Sequence, residues 1–147
     1  MDTNIPISQI MTRDLITVPP KTTLKEVYGL FERHSFHHLP VIDEGSKLLG
    51  IISREDFYKA AYNLSLHTGG KTFSKLEYGG KCAKDIMTAQ PLTLDPDDSV
   101  GLAADIFLAN KFHSVPIVED DQLIGIVTTH DLLEFTFDSK IVEKENV

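Results

Sequence analysis

One cysteine, Cys82, stands in a chain of 147 residues. That scarcity excludes an internal disulfide framework and suits a reducing compartment. No motif partner accompanies Cys82 to activate its thiol as a nucleophile. No apolar run approaches the ~18 residues of a membrane span, and the first residues lack the positive start and apolar stretch of a secretory signal. A cytoplasmic protein without membrane contact is therefore expected. Basic charge is also short: 14 Lys and Arg against 22 Asp and Glu leave a formal charge of -8. Nucleic-acid binding needs a basic face, so it is not expected, and an anionic ligand would have to be held by local donors. Nor does the chain contain a phosphate-cradling glycine loop, a nucleophile-base pair or a metal triad, which argues against an enzyme. His34, His37 and His38 cluster, but without a nearby cysteine or a third convergent ligand, so no metal site is expected.

What is present is a tandem repeat. With 41% hydrophobic and 24% charged residues the chain has the chemistry of one compact domain. Sliding it against itself by about 76 positions lays Ile10-Met11-Thr12 on Ile86-Met87-Thr88, Thr17 on Thr93, Phe31 on Phe107, Phe36-His37 on Phe112-His113 and Pro40 on Pro116. After a one-residue deletion, Gly50-Ile51-Ile52-Ser53-Arg54-Glu55-Asp56 falls on Gly125-Ile126-Val127-Thr128-Thr129-His130-Asp131. Each copy is too small to bury a comfortable core alone, so the copies are expected to pack together. The expected boundaries are residues 1–64 for the first repeat, 65–81 for a glycine-bearing linker, 82–138 for the second repeat and 139–147 for a charged, fraying tail.

The first copy opens with an arm, Ile5 to Met11, and a short extended piece, Leu15 to Val18, ended by Pro19-Pro20. Thr23 and Glu26 have capping-box spacing, and Leu24, Val27, Tyr28 and Phe31 mark the apolar face of a helix over about 23–34. Runs at 39–42 and 47–52 predict a hairpin across Asp43-Glu44-Gly45-Ser46, after which Ser53 opens a second helix. The second copy repeats this plan. It has an extended Leu92-Thr93-Leu94, a helix opened by Asp98 or Ser99 with Val100, Ala103, Ala104 and Phe107 on its apolar face, a hairpin across 119–121, and a closing helix from His130.

Ser53-x-x-Asp56 and Thr128-x-x-Asp131 each follow an apolar strand and precede an apolar helix. Taken alone, this spacing is that of an N-terminal capping box. Capping and binding can coexist, because a helix N-terminus offers free N–H groups and a positive dipole end to phosphate. A carboxylate one turn in can accept hydrogen bonds from the vicinal hydroxyls of a ribose, as acidic residues do in dinucleotide sites. Both readings stay open at this point.

The sequence Phe-His, hydrophobic-Pro, hairpin, Gly-hydrophobic-hydrophobic-Ser/Thr-x-x-Asp and helix, occurring twice, resembles the cystathionine-β-synthase (CBS) domain. Two copies in tandem resemble a CBS pair, or Bateman module, over about residues 5–136. The resemblance implies an α/β (α+β) fold of two β-α-β-β-α repeats packed sheet to sheet with pseudo-two-fold symmetry. It also implies clefts between the copies that take an adenosine-containing ligand such as AMP, ADP, ATP or S-adenosylmethionine, with Mg2+ admissible alongside phosphates and no resident cofactor. Carried over by position, one cleft would use Ile51, Ser53, Arg54 and Asp56 with Leu92, Thr93, Phe112, His113 and Ser114. The other would use Ile126, Thr128, Thr129 and Asp131 with Ile16, Thr17, Phe36, His37 and His38. Many nucleotide-binding members place arginine after the histidine, where this chain has His38 and Ser114, so Arg54 is the one permanent charge inside either motif.

The function expected is a regulatory module that senses such a ligand. The alternative is a dimeric interaction scaffold whose clefts are empty or hold a divalent cation. The two repeats use up the chain, so an effector is expected to be a separate protein. A homodimer is expected both by resemblance and because the two apolar helix faces exceed what one thin sheet layer can cover.

Overall fold

The computed structural model describes residues 2–66, 80–110 and 112–145, with 64–66 and 138–145 described by their backbone alone. Most of the expected linker, including Gly69, Gly70 and Gly79, and the last two residues of the expected tail lie outside this set. The elements in order are a 3-10 turn Ile7–Gln9, α1 (Leu24–Arg33), β1 (His38–Ile42), β2 (Leu48–Ser53), α2 (Arg54–Leu66), α3 (Ala83–Ile86), β3 (Thr88–Ala89), α4 (Val100–Ala109), β4 (Ser114–Glu119), β5 (Gln122–Thr128) and α5 (Thr129–Glu145). This is the mixed α+β fold expected of a CBS pair.

The chain divides into two compact units that cut across the sequence repeats. One is contiguous, Ile16–Pro91; the other is split, Met1–Leu15 with Leu92–Val147. In the contiguous unit α1 begins where Thr23 accepts the Glu26 N–H at 3.2 Å, the cap that its spacing predicts. Leu24, Val27 and Phe31 recur at helical spacing and are buried with Leu39, Val41, Ile52 and Phe57. The apolar face of α1 is thus used up by its own core and is not spare surface for a partner, contrary to the expectation above. β1 and β2 pair antiparallel from His38 opposite Ser53 to Val41 opposite Gly50. Asp43 closes their turn by accepting the N–H groups of Gly45 and Lys47, each at 2.9 Å.

The split unit repeats the scheme. Ser99 caps α4 by accepting the Leu102 N–H at 3.1 Å, which decides between Asp98 and Ser99. β4 and β5 pair from Ser114 opposite Thr128 to Glu119 opposite Gln122, leaving Asp120-Asp121 as a two-residue turn. Both aspartates have positive φ, 51° and 63°, the backbone that a tight hairpin of right-twisted strands requires. Its core gathers Ile7, Met11, Leu94, Ala103, Val115, Ile117 and Val127.

The expected extended pieces at 15–18 and 92–94 shrink to single parallel bridges, Val18 beside Val41 and Leu94 beside Ile117. Each hairpin gains its other edge from the arm that precedes the opposite sequence repeat. β3 pairs antiparallel with β2, Thr88 opposite Ile51, while Thr12 bridges Ile126 through N–H···O contacts of 2.8 and 3.0 Å. Ile-Met-Thr at 10–12 and at 86–88 therefore does the same job twice, each time for the hairpin of the other copy. The closing helix continues through the charged segment to Glu145, where a fraying tail was expected.

Candidate functional site

In each unit the end of the second hairpin strand runs directly into a helix, and the turn before the first strand is tied to that junction. In the contiguous unit the Arg54 N–H donates to the His37 carbonyl at 2.7 Å; in the split unit the Thr129 N–H donates to the His113 carbonyl at 3.0 Å. One hydrogen bond thus brings the Phe-His turn onto the start of the Ser/Thr-x-x-Asp helix. The gathering follows from register: His38 lies opposite Ser53, and Ser114 opposite Thr128.

The residues assigned by resemblance to a single cleft are distributed over both units. Ile16, Thr17, Phe36, His37, His38, Ile51, Ser53, Arg54 and Asp56 belong to the contiguous unit. Leu92, Thr93, Phe112, His113, Ser114, Ile126, Thr128, Thr129 and Asp131 belong to the split one. Ile16 and Phe36 pack on the core of their unit, and the Phe36 ring lies 5.4 Å from that of Phe31. Phe112, at the matching position, is exposed, as are Leu92 and Thr93. Ile126 is buried under the Thr12 bridge.

The two aspartates differ. Asp131 forms a reciprocal capping box: its N–H donates to Thr128 Oγ1 at 3.1 Å and its Oδ2 accepts the Thr128 N–H at 2.9 Å. Thr12 Oγ1 adds a third bond, 3.1 Å from Asp131 Oδ1. Asp56 closes half of such a box, its N–H donating to Ser53 Oγ at 3.0 Å. Its exposed carboxylate receives no hydrogen bond from the described residues, which leaves its acceptor sites to solvent or ligand. Thr12 carries no signal in the Ser/Thr-x-x-Asp spacing; the repeated Ile-Met-Thr triplet was the sole trace of it.

Arg54 is not the free phosphate donor that its position suggests. Its Nη2 lies 2.7 Å from both the Phe31 and the His34 carbonyls and 3.1 Å from that of Phe36, with Nε 3.3 Å from the last. The guanidinium carbon sits 5.3 Å from the Phe31 ring centroid. These bonds close the C-terminal end of α1 and hold the Phe36-His37 turn. In the split unit Thr129 stands in its place, and the end of α4 is instead closed by Asn110, whose amide donates to the Ile106 carbonyl at 2.8 Å.

Cys82 is occupied structurally. Its N–H and its thiol donate to Asp85 Oδ2 at 2.8 and 3.3 Å, and these bonds hold the Asp85 carboxyl below its ordinary range. No cluster of three or more His, Cys, Asp or Glu able to hold a metal occurs among the described residues. No helix among them is long and apolar enough to cross a membrane.

Known proteins are similar to this chain in sequence and fold. Over 121 residues, 82% of this chain, it is 36% identical to an inosine-5'-monophosphate dehydrogenase of Korarchaeum cryptofilum. The chain spans 22% of the length of that enzyme. Among solved structures, CBSX2 of Arabidopsis thaliana in complex with AMP superposes with a TM-score of 0.77 at 28% identity, over 92% of this chain and 98% of that one. The CBS domain pair of MJ0100, in complex with 5'-methylthioadenosine and S-adenosyl-L-methionine, superposes at 0.71 with 27% identity, over 92% and 98%. The CBS domain pattern itself matches at residues 7–63 and again at 83–138, and the chain belongs to the CBS domain family.

Proposed function

We propose that this chain is a regulatory module that binds an adenine nucleotide or a related adenosyl compound through its two Ser/Thr-x-x-Asp helix starts. The observation that carries the reading is the Asp56 carboxylate, exposed, unpaired among the described residues and set one turn into a helix whose first N–H is tied to the His37 turn. Such a carboxylate is a ready acceptor for the two hydroxyls of a ribose. The ligands of the two similar structures, AMP on one side and 5'-methylthioadenosine with S-adenosylmethionine on the other, share adenosine and differ in charge. That fits a chain whose one motif cation, Arg54, already serves backbone carbonyls.

The test is calorimetric titration of the full chain with adenosine, AMP, ADP, ATP, S-adenosylmethionine and Mg2+ alone. Each adenosyl compound is expected to bind. AMP, ADP and ATP should differ by less than about tenfold, or ~1.4 kcal/mol. Asp56→Ala removes charge-assisted acceptors and is expected to weaken one of two sites by about ten- to a hundredfold, with little change in melting temperature. Binding of Mg2+ with none of the adenosyl compounds would replace this reading with that of an interaction scaffold.

Self-association is part of the same proposal. Leu102 and Leu108 on α4 and Leu133 and Phe137 on α5 remain exposed, with Leu108 at 87% and Leu133 at 69%. An apolar set of this size on neighbouring helices is covered in most soluble proteins. Sedimentation at tens of micromolar is expected to show a dimer; a species of 16.4 kDa overturns it.

A further inference from the structure

We infer that Thr12, which lies outside the Ser/Thr-x-x-Asp pattern, is a positioning residue that presets the Asp131 carboxylate for a vicinal diol. The choice of ligand rests on the nucleotide-binding reading above; the positioning itself rests on hydrogen-bond geometry. Thr12 Oγ1 reaches Asp131 Oδ1 at 3.1 Å while the Thr128 N–H reaches Oδ2 at 2.9 Å, so each carboxylate oxygen has its own donor and the plane of the group is fixed. A longer contact of 3.4 Å from Thr12 Oγ1 to Oδ2 keeps the hydroxyl between the two oxygens. The hydroxyl has a single hydrogen; directed at the nearer Oδ1, it leaves each carboxylate oxygen with one donor and, at about two acceptor directions per oxygen, one direction on each open for a ligand.

The donor is itself held firmly. Thr12 exchanges both backbone hydrogen bonds with Ile126, at 2.8 and 3.0 Å. Met11, the residue before it, is buried in the core of the split unit. Freedom is left only in χ1, which a β-branched residue restricts. The hydroxyl therefore reaches Asp131 from a backbone that does not need to be ordered when a ligand arrives. The contiguous unit lacks this device. Thr88 occupies the matching place, opposite Ile51, yet no described residue donates to the Asp56 carboxylate. The two ends are thus unequal: Asp131 is held in place, and Asp56 must be ordered on binding. Immobilising a side chain on binding costs affinity, here on the order of threefold to tenfold.

Thr12→Val tests this, since it removes the hydroxyl while keeping branching and strand pairing, with Thr12→Ser as the hydroxyl-retaining control. Two readouts on the full chain are needed. Without ligand, the Thr128 amide should exchange its hydrogen several-fold faster in Thr12→Val than in wild type, and at the wild-type rate in Thr12→Ser. During AMP titration, nitrogen-15 resonances of Thr128 and Thr129 report one end and those of Arg54 and Glu55 the other. Thr12→Val is expected to weaken binding at the Thr128 end by about three- to tenfold and leave the Arg54 end unchanged. 2',3'-Dideoxyadenosine, which lacks the diol, should bind wild type and Thr12→Val alike. Unchanged Thr128 exchange overturns the inference. So does equal or tighter AMP binding by Thr12→Val, which would make Thr12 a competitor of the ligand. If wild type binds no AMP, the nucleotide reading fails, and the exchange of the ligand-free protein still decides whether Thr12 positions Asp131.

Discussion

Arg54→Ala is expected to lower the unfolding free energy by about 2–4 kcal/mol, far more than a typical exposed arginine. The guanidinium Nη2 has two hydrogens and meets three carbonyls, those of Phe31, His34 and Phe36, so at least one bond is shared. Hydrogen bonds to a charged group contribute about 1.5–3 kcal/mol, and removing the donor leaves the half-buried Phe31 and Phe36 carbonyls unmet. The contact with the Phe31 ring adds about 0.5–1 kcal/mol. Arg54→Lys should recover less than half, because an ammonium cannot reproduce a planar fork. Urea unfolding of the ligand-free variants checks the size. Comparison of AMP with adenosine checks the role: a structural clamp predicts equal losses for both ligands. A loss confined to AMP, with stability within about 0.5 kcal/mol of wild type, would instead make Arg54 a phosphate ligand.

The second large effect is expected at the motif glycines. A Cβ on Gly50 would stand 2.7 Å from Met87 Cγ and from the Thr88 carbonyl oxygen. At Gly125 it would stand 2.6 Å from Met11 Sδ and 3.1 Å from the Thr12 carbonyl oxygen. A methionine can swing away, but a carbonyl in a strand pairing cannot do so without breaking the pair. Overpacking of this kind costs about 1–3 kcal/mol, and more where the backbone must move. Gly50→Ala should therefore cost more than Gly125→Ala. Met87→Ala combined with Gly50→Ala should restore part of the loss, with the carbonyl clash remaining. Thermal melts of the two single variants and of the double variant measure this. A Gly50→Ala protein as stable as wild type would mean that the arm does not lie against β2.

These glycines show why parts of the molecule were legible in sequence and others were not. The hairpins, the cap at Thr23, the start of α4 at Asp98 or Ser99 and the buried faces of α1 and α4 all follow from spacing within a few residues. The exchange of arms does not, because a repeat reveals that two segments are alike without telling which hairpin each one joins. Gly50 and Gly125 were visible as a repeated position, yet the reason for them is an arm more than thirty residues away in one case and more than a hundred in the other. Asp56 and Asp131 were legible as paired acids. Their inequality was not, since it turns on one hydroxyl from Thr12. The contacts of Arg54 were not legible, because they are made to carbonyls, which every residue has and no sequence pattern marks.

The partition of the chain also bears on the order in which the protein can be completed during synthesis. The contiguous unit, Ile16–Pro91, is synthesised in full before any residue of β4 or β5. Nascent chains fold broadly from the N-terminus, so this unit can close early. The segment before it emerges earlier still but must wait, since Ile7 and Met11 have their core partners, Val115, Ile117 and Val127, in residues made after that unit. Once the intervening unit has folded, the entropy of bringing these ends together is no longer that of a long flexible loop. A segment made before the contiguous unit is thus among the last to find its place.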